Sequence, residues 1–120
     1  VFTVKLLIIT YRDPYDGGDV VWNALRVATF QKELGDDVNV FLMSDAVTLS
    51  HEDTPQPADP AYDVDTEFEV AVHGGVSFKT CGTCLKNRSL PLDRVHSGAP
   101  AATLKDLADW LSWADKVLTF

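Results

Sequence analysis

Cysteine, methionine and positive charge are all scarce in this chain. Of 120 residues, two are cysteine, one is methionine and ten are lysine or arginine, against eighteen aspartate or glutamate, for a formal net charge of −8. Each shortage removes a class of protein. Two cysteines, Cys81 and Cys84, cannot staple a fold as the four or six of a small secreted protein do, so their use is expected to be chemical. The summed negative field repels phosphate backbones and anionic membrane surfaces, which argues against nucleic acid and membrane as partners. No apolar run reaches the roughly 18 residues a spanning helix needs. The first ten residues lack the basic flank of a secretory signal, and a soluble, cytoplasmic protein is expected. There is neither a G-x-G-x-x-G pattern nor a P-loop lysine, so Gly17-Gly18 reads as a turn in preference to a nucleotide cradle. There is also no second Cys-x-x-Cys pair and no closely spaced histidine pair. A tetrahedral zinc site within one subunit therefore has little support, although one shared between subunits stays open. Neither a metal nor an organic cofactor is expected.

What is present is a globular composition, 46% hydrophobic and 23% charged, in a length that suits one domain over residues 1–120. Fourteen of the eighteen acidic residues are aspartate, a bias compatible with a salt-tolerant surface. Val4 to Thr10 is a nearly continuous branched run, the pattern of a parallel strand covered on both faces. Asp19 is placed to cap a helix from Val20 to Leu34, whose Val21, Ala24, Leu25, Ala28 and Leu34 make an inward stripe and which Gly35 ends. Val38 to Met43 is a second strand, with Ser44-Asp45-Ala46-Val47 at its carboxyl end. Thr48 to Asp65, with Pro55, Pro57 and Pro60 among acidic residues, is long for a connection and reads as a lid, an oligomer contact or a mobile loop. Thr66 and Glu69 form a capping-box pattern that opens a short helix, closed by Gly74-Gly75. Val76 to Thr80 alternates as a third strand, Arg94 to His96 suggests a brief one, and Ser97 to Pro100 is a turn. Thr103 and Asp106 start a last helix lined by Leu104, Leu107, Ala108, Leu111 and Ala114, before Lys116 to Phe120 closes the chain as a strand. Strands alternating with helices predict a three-layer α/β/α domain with a mostly parallel sheet of about five strands. In such sheets ligands bind at the carboxyl ends of strands. The loop after Thr10, the Asp45 turn and the Cys81 turn are expected to converge there.

The densest chemical signal is Cys81-Gly82-Thr83-Cys84-Leu85-Lys86-Asn87-Arg88, two thiols at a strand-to-helix turn followed by two cations. Backbone N–H groups at a helix start favour an anion, and Lys86 and Arg88 add positive potential. Cysteines so placed have pKa values that fall from about 8.5 into roughly the 3.5–7.5 range. Cys81, earlier on the turn, is expected to be the attacking thiolate. The bland alternative is two buried, inert cysteines. His73 and His96 are proton carriers or, on the plainer reading, a helix-end and a surface residue. His51 is expected to be solvated. Asp13 and Asp45 fix loops or contact a partner. Trp22, Trp110 and Trp113 read as packing or oligomer anchors.

These residues carry a resemblance. The strand Lys5–Thr10 with its Pro-Tyr loop around Tyr15, Asn23 to Ala28, Phe41-Leu42-Met43-Ser44-Asp45-Ala46-Val47, the cysteine octet and the ending Ala114 to Phe120 resemble the DsrE/DsrF-like family of small sulfur-relay proteins, which includes the TusD type. That resemblance implies a flavodoxin-like or Rossmann-like subunit in homo-oligomers (trimers or hexamers) or hetero-oligomers with paralogous subunits. It also implies sulfane sulfur carried as a persulfide, taken from a donor protein and given to an acceptor. The family's sulfur-accepting cysteine falls at Cys81, seven residues before Arg88, and Cys84 is an additional thiol present in some members. Gly82, Thr83, Lys86, Arg88, Asp45 and Tyr15 are the expected supporting residues. The competing expectations are a dithiol redox protein using Cys81 and Cys84, and a non-catalytic binding or regulatory subunit.

Overall fold

The computed structural model describes residues 3–120. Among them, five strands make one parallel sheet: β1 (Lys5–Thr10), β2 (Asp37–Leu42), β3 (Ser77–Cys81), β4 (Ala101–Ala102) and β5 (Lys116–Thr119). The strand order is β4-β3-β2-β1-β5. β1 is an inner strand, pairing with β2 from Lys5 opposite Asp37 to Thr10 opposite Leu42, and with β5 from Leu6 opposite Lys116 to Ile9 opposite Thr119. Its continuous apolar character follows from that place, because side chains alternate between two covered faces.

The two faces form two cores. Leu6 and Ile8 of β1, Val38, Val40 and Leu42 of β2, and Phe78 of β3 pack under α1 (Val20–Glu33) and α2 (Val64–His73). Leu7, Phe41 and Cys81 point the other way, toward α3 (Gly82–Asn87) and α4 (Leu104–Trp113). The three-layer α/β/α architecture read from the sequence is therefore the one observed. Trp22 meets Tyr62 at a 46° tilt with the Arg26 guanidinium over its ring, and Trp110 meets Phe41 edge-on with the Lys79 amine over its ring, so both tryptophans serve packing.

Several boundaries differ from the sequence reading, each for a local reason. α2 starts at Val64 because Asp63, not Thr66, is its N-cap: the Asp63 carboxylate accepts from the Thr66 N–H at 3.1 Å and from its hydroxyl at 2.7 Å. That start places Val64, Phe68 and Ala71 on one buried face. Asp19 precedes α1, but its carboxylate makes no cap bond. Leu34 lies beyond the last turn, 76% exposed and outside the stripe assigned to it. In α4 the inward positions are Leu107 and Trp110, joined by Ala114 just past the helix end, whereas Leu104, Ala108 and Leu111 face outward.

The connection after β2 is more ordered than its composition suggests. Ser44–Ser50 is a 3₁₀ helix with Ala46, Val47 and Leu49 buried. His51, expected in solvent, is 3% exposed. Its Nδ1 accepts from the Asp53 N–H at 3.2 Å and its Nε2 donates to the Pro91 carbonyl at 2.8 Å, so both ring nitrogens are satisfied inside. The strand suggested at Arg94 to His96 is a single antiparallel bridge from Val95 to His51. The fourth strand is instead Ala101–Ala102, directly after the Ser97 to Pro100 turn and too short for any periodicity to announce.

The Thr103 and Asp106 start of α4 forms as expected, with both reciprocal cap bonds present. Thr103→Ala is expected to cost about 1 kcal/mol, the usual value of an N-cap side chain, measurable as a lower urea midpoint at unchanged slope. The Thr103 N–H and hydroxyl hold the Asp106 carboxyl below its ordinary pKa. A depressed carboxyl stabilises the fold above its unfolded value, so this contribution is intact at neutral pH and fades as pH falls through the lowered value.

Candidate functional site at the carboxyl ends of β2 and β3

β3 delivers its last residue, Cys81, to the start of α3, and β2 delivers Ser44 and Asp45 beside it. The two turns are locked together just below the thiols. The Thr80 hydroxyl donates to the Ala99 carbonyl at 2.8 Å and shares a 2.7 Å hydrogen bond with the Ser50 hydroxyl, both residues being buried. Gly82 follows because α3 enters against β4: a Cβ there would stand 3.2 Å from the Ala102 carbonyl oxygen.

The two sulfurs have different surroundings. Cys81 is the N-cap of α3, and its Sγ accepts from the Cys84 N–H at 3.3 Å. It is only 1% exposed and lies in the apolar cluster of Leu7, Phe41, Val47, Leu85 and Leu107. Burial pushes the Cys81 thiol above its ordinary pKa, and the neighbouring Cys84 thiol adds to the rise; the Cys84 N–H offsets part of it. The expectation of a reachable, ionised Cys81 is thus corrected. α3 has six residues, fewer than two full turns, so few aligned peptide dipoles oppose the desolvation.

Cys84 is partly exposed, and its Sγ accepts the Ser44 N–H at 3.2 Å. Ser44 holds a left-handed backbone, φ 52°, unusual for a residue with a side chain and found where a structure aims a backbone group at a target. Arg88 closes the arrangement. Its Nη1 donates to the Cys84 carbonyl at 3.1 Å, and its Nη2 and Nε donate to Asp45 Oδ1 at 2.8 and 3.3 Å. The Asp45 turn, α3 and the Cys84 thiol are therefore held in one frame. Both thiols are free. Because one sulfur is reachable and the other sealed, iodoacetamide at neutral pH should alkylate Cys84 more than about tenfold faster than Cys81, read by peptide mass mapping over time.

Of the expected residues, Cys81, Gly82, Thr83, Cys84, Arg88 and Asp45 come together here, and Lys86 lies exposed on the same helix. Ser44 was missed; its left-handed φ has no sequence signature outside glycine and asparagine. Tyr15 stands elsewhere. Its hydroxyl donates to Asp65 at 2.7 Å, and its ring lines a cavity of about 220 Å³ with Pro14, Gly17, Gly18 and Pro57 to Tyr62. Burial raises its phenol pKa, so it stays protonated. The loop after Thr10 begins beside the β2 turn, where the Met43 N–H donates to the Thr10 carbonyl at 3.0 Å, and its Tyr15 portion then packs on the proline-rich segment, away from the thiols. Asp13 and Asp16 cap the turn by accepting from the Tyr15 and Gly18 N–H groups. His73 and His96 are both engaged by Glu69, with His96 Nε2 2.7 Å from its carboxylate. Among the described residues, no group of three His, Cys, Asp or Glu side chains is arranged to hold a metal ion.

A parallel three-layer α/β domain with a dithiol turn at the end of an inner strand is the class that fold and site define. The chain belongs to the DsrE/DsrF-like family, whose profile it matches over residues 4–120. It is 35% identical over 118 residues to protein YchN of Escherichia coli K12, covering 97% of this chain and 98% of YchN. It is 31% identical over 120 residues to the uncharacterised protein MJ0989 of Methanocaldococcus jannaschii, covering 98% and 100%. The crystal structure of E. coli YchN superposes with a TM-score of 0.83 at 34% identity, over 98% of this chain and all of that one. Among the described residues, no helix is long and apolar enough to cross a membrane.

Proposed function

We propose that this protein is a sulfur carrier that accepts sulfane sulfur as a persulfide at the Cys81–Cys84 turn and passes it to a partner. Cys84 is the thiol that meets the donor. In the entry step the Cys84 thiolate attacks the outer sulfur of a donor persulfide. The Cys84 Sγ to sulfane-sulfur bond forms, the donor S–S bond breaks, and the donor leaves as a thiol after taking up a proton. The exchange conserves thiol and disulfide-level sulfur and requires no metal or organic cofactor. The observation that carries this reading is the Ser44 N–H placed on Cys84 Sγ, beside an Arg88 fixed by Asp45: a partly exposed sulfur is held in one orientation at the turn where a donor can meet it. Family membership supports the sulfur chemistry.

The test is incubation of the full chain with inorganic polysulfide, followed by intact and peptide mass measurement. One added sulfur atom on the Cys84 peptide is expected; an unchanged mass excludes the carrier. A second reading, a dithiol redox protein, is favoured by the two thiols sharing one helix start. Rapid catalytic reduction of insulin with a dithiol reductant would select it.

The partners in this proposal are a donor and an acceptor protein. Assembly with like or paralogous subunits belongs to it as well. β5 is a sheet edge with Val117 and Leu118 exposed, and the outward stripe of α4 adds Leu104 and Leu111, an apolar surface that association would cover.

A further inference from the structure

Carriage at Cys84 leaves one nucleophile without a task. Cys81 is a free thiol in the wall of the site, shielded from any partner yet next to the atom that would bear the cargo. Its relation to Cys84 is defined by position. The two residues occupy the N-cap and third helical places of α3, the places whose side chains each reach toward the other's backbone N–H in a capping box, which brings them close. The same chain shows what that spacing does at α4, where Thr103 and Asp106 fill the equivalent places and their side-chain oxygens are 3.1 Å apart. At α3 the Cys84 N–H already reaches Cys81 Sγ at 3.3 Å.

Building on the carrier reading, we propose that Cys81 is the resolving thiol of the site: it attacks Cys84 Sγ of the persulfide and discharges undelivered sulfur as sulfide. The balance is complete without an external oxidant. Cys84–S–SH and Cys81–SH give the Cys81–Cys84 disulfide and H₂S. The Sγ81–Sγ84 bond forms, and the bond between Sγ84 and the sulfane sulfur breaks. The sulfane sulfur is reduced to sulfide, the two cysteine sulfurs are oxidised to a disulfide, and the Cys81 proton goes to the departing hydrosulfide. Attack on the inner sulfur is the route the placement favours. Cys84 Sγ accepts the Ser44 N–H and the Cys84 backbone N–H reaches Cys81 Sγ, so the inner sulfur is tied to the turn that holds Cys81, whereas the outer sulfur is the atom a docked acceptor would take. Return to the dithiol then requires a dithiol reductant, so discharge also takes the carrier out of use until it is reduced.

The two cysteines therefore set a competition. A docked acceptor removes the outer sulfur and leaves Cys84 as a thiol, ready for another round. Without an acceptor, Cys81 ends the persulfide's life. Its burial keeps the second route slower than delivery, since the attacking sulfur is protonated and held in apolar packing.

The experiment loads the full wild-type chain, Cys81→Ser and Cys81→Ala with inorganic polysulfide under anaerobic conditions, removes the excess, and follows intact mass, trapped sulfide and alkylation over time. In the wild type the added sulfur should disappear with release of one sulfide per chain. A Cys81–Cys84 linked peptide should appear that resists alkylation until dithiothreitol is added. Both variants should keep the sulfur on Cys84 at least about tenfold longer, because the neighbouring nucleophile is gone. Equal decay in wild type and variants overturns the resolving role, as does sulfur found on Cys81 or wild-type decay without the disulfide. If the variants, with Cys84 intact and folded by circular dichroism, take up no sulfur, the carrier reading fails and the inference fails with it. The stoichiometry of disulfide to sulfide in the wild type reads the step even if a variant does not fold.

Discussion

Cys84→Ser should take up sulfane sulfur from polysulfide more than about a hundredfold more slowly than the wild type, because a serine hydroxyl is not ionised near neutral pH and the thiolate is the attacking species. The fold should be kept, since Cys84 is only partly buried and serine can still accept the Ser44 N–H that Sγ accepts now. The remaining thiol does not compensate: Cys81 is 1% exposed and its pKa is raised. Mass measurement after short polysulfide exposure gives the rate directly, and thermal melting of the variant checks that folding is intact. Uptake at the wild-type rate by Cys84→Ser would move the acceptor role to Cys81, which would require the turn to open.

Phe41→Ala is expected to destabilise the chain by about 3–5 kcal/mol, the range for deleting a large aromatic from a packed interior. Phe41 is fully buried near the carboxyl end of β2, edge-on to Trp110 and in the same cluster as Leu7, Val47, Leu85 and Cys81. The loss is large against the roughly 5–15 kcal/mol that holds a domain of this size, and unfolding should shift on the order of 10 °C or more. The same cavity would open beside Cys81. In the surviving folded fraction Cys81 should become alkylated faster, while Cys84 keeps its rate. Guanidinium unfolding with parallel alkylation separates the two effects. A change below about 1 kcal/mol would mean that the cluster around Cys81 is not a packed core.

Different parts of the molecule were legible to different degrees. The branched run Lys5 to Thr10 announced an inner parallel strand because both of its faces are covered, a condition that leaves a mark on every residue. Thr103 and Asp106 announced α4 because a reciprocal cap is made of nearest neighbours along the chain. At α2 two cap patterns overlapped, Asp63 with Thr66 and Thr66 with Glu69, and the burial of Val64 decided between them. His51 looked solvated amid acidic residues and prolines; its partner is the Pro91 carbonyl, forty residues away, which no local pattern contains. The outward side of α4 was misjudged for a related reason, since Leu104 and Leu111 match the helical period as well as Leu107 does, and the position of the sheet picks the stripe.

The residue order alone therefore determined the alternation of strands and helices, the family, and the grouping of two thiols with Arg88 on one short helix, since all of these are carried by spacing within a few residues. Only the folded chain decided which sulfur is reachable. That outcome depends on Phe41 and Leu7 arriving from other strands to bury Cys81 and on Ser44 arriving from β2 to meet Cys84. Desolvation and hydrogen bonding of a thiol come from whatever surrounds it in space, and here Leu7, Phe41 and Ser44 are brought to the two sulfurs from forty residues and more away.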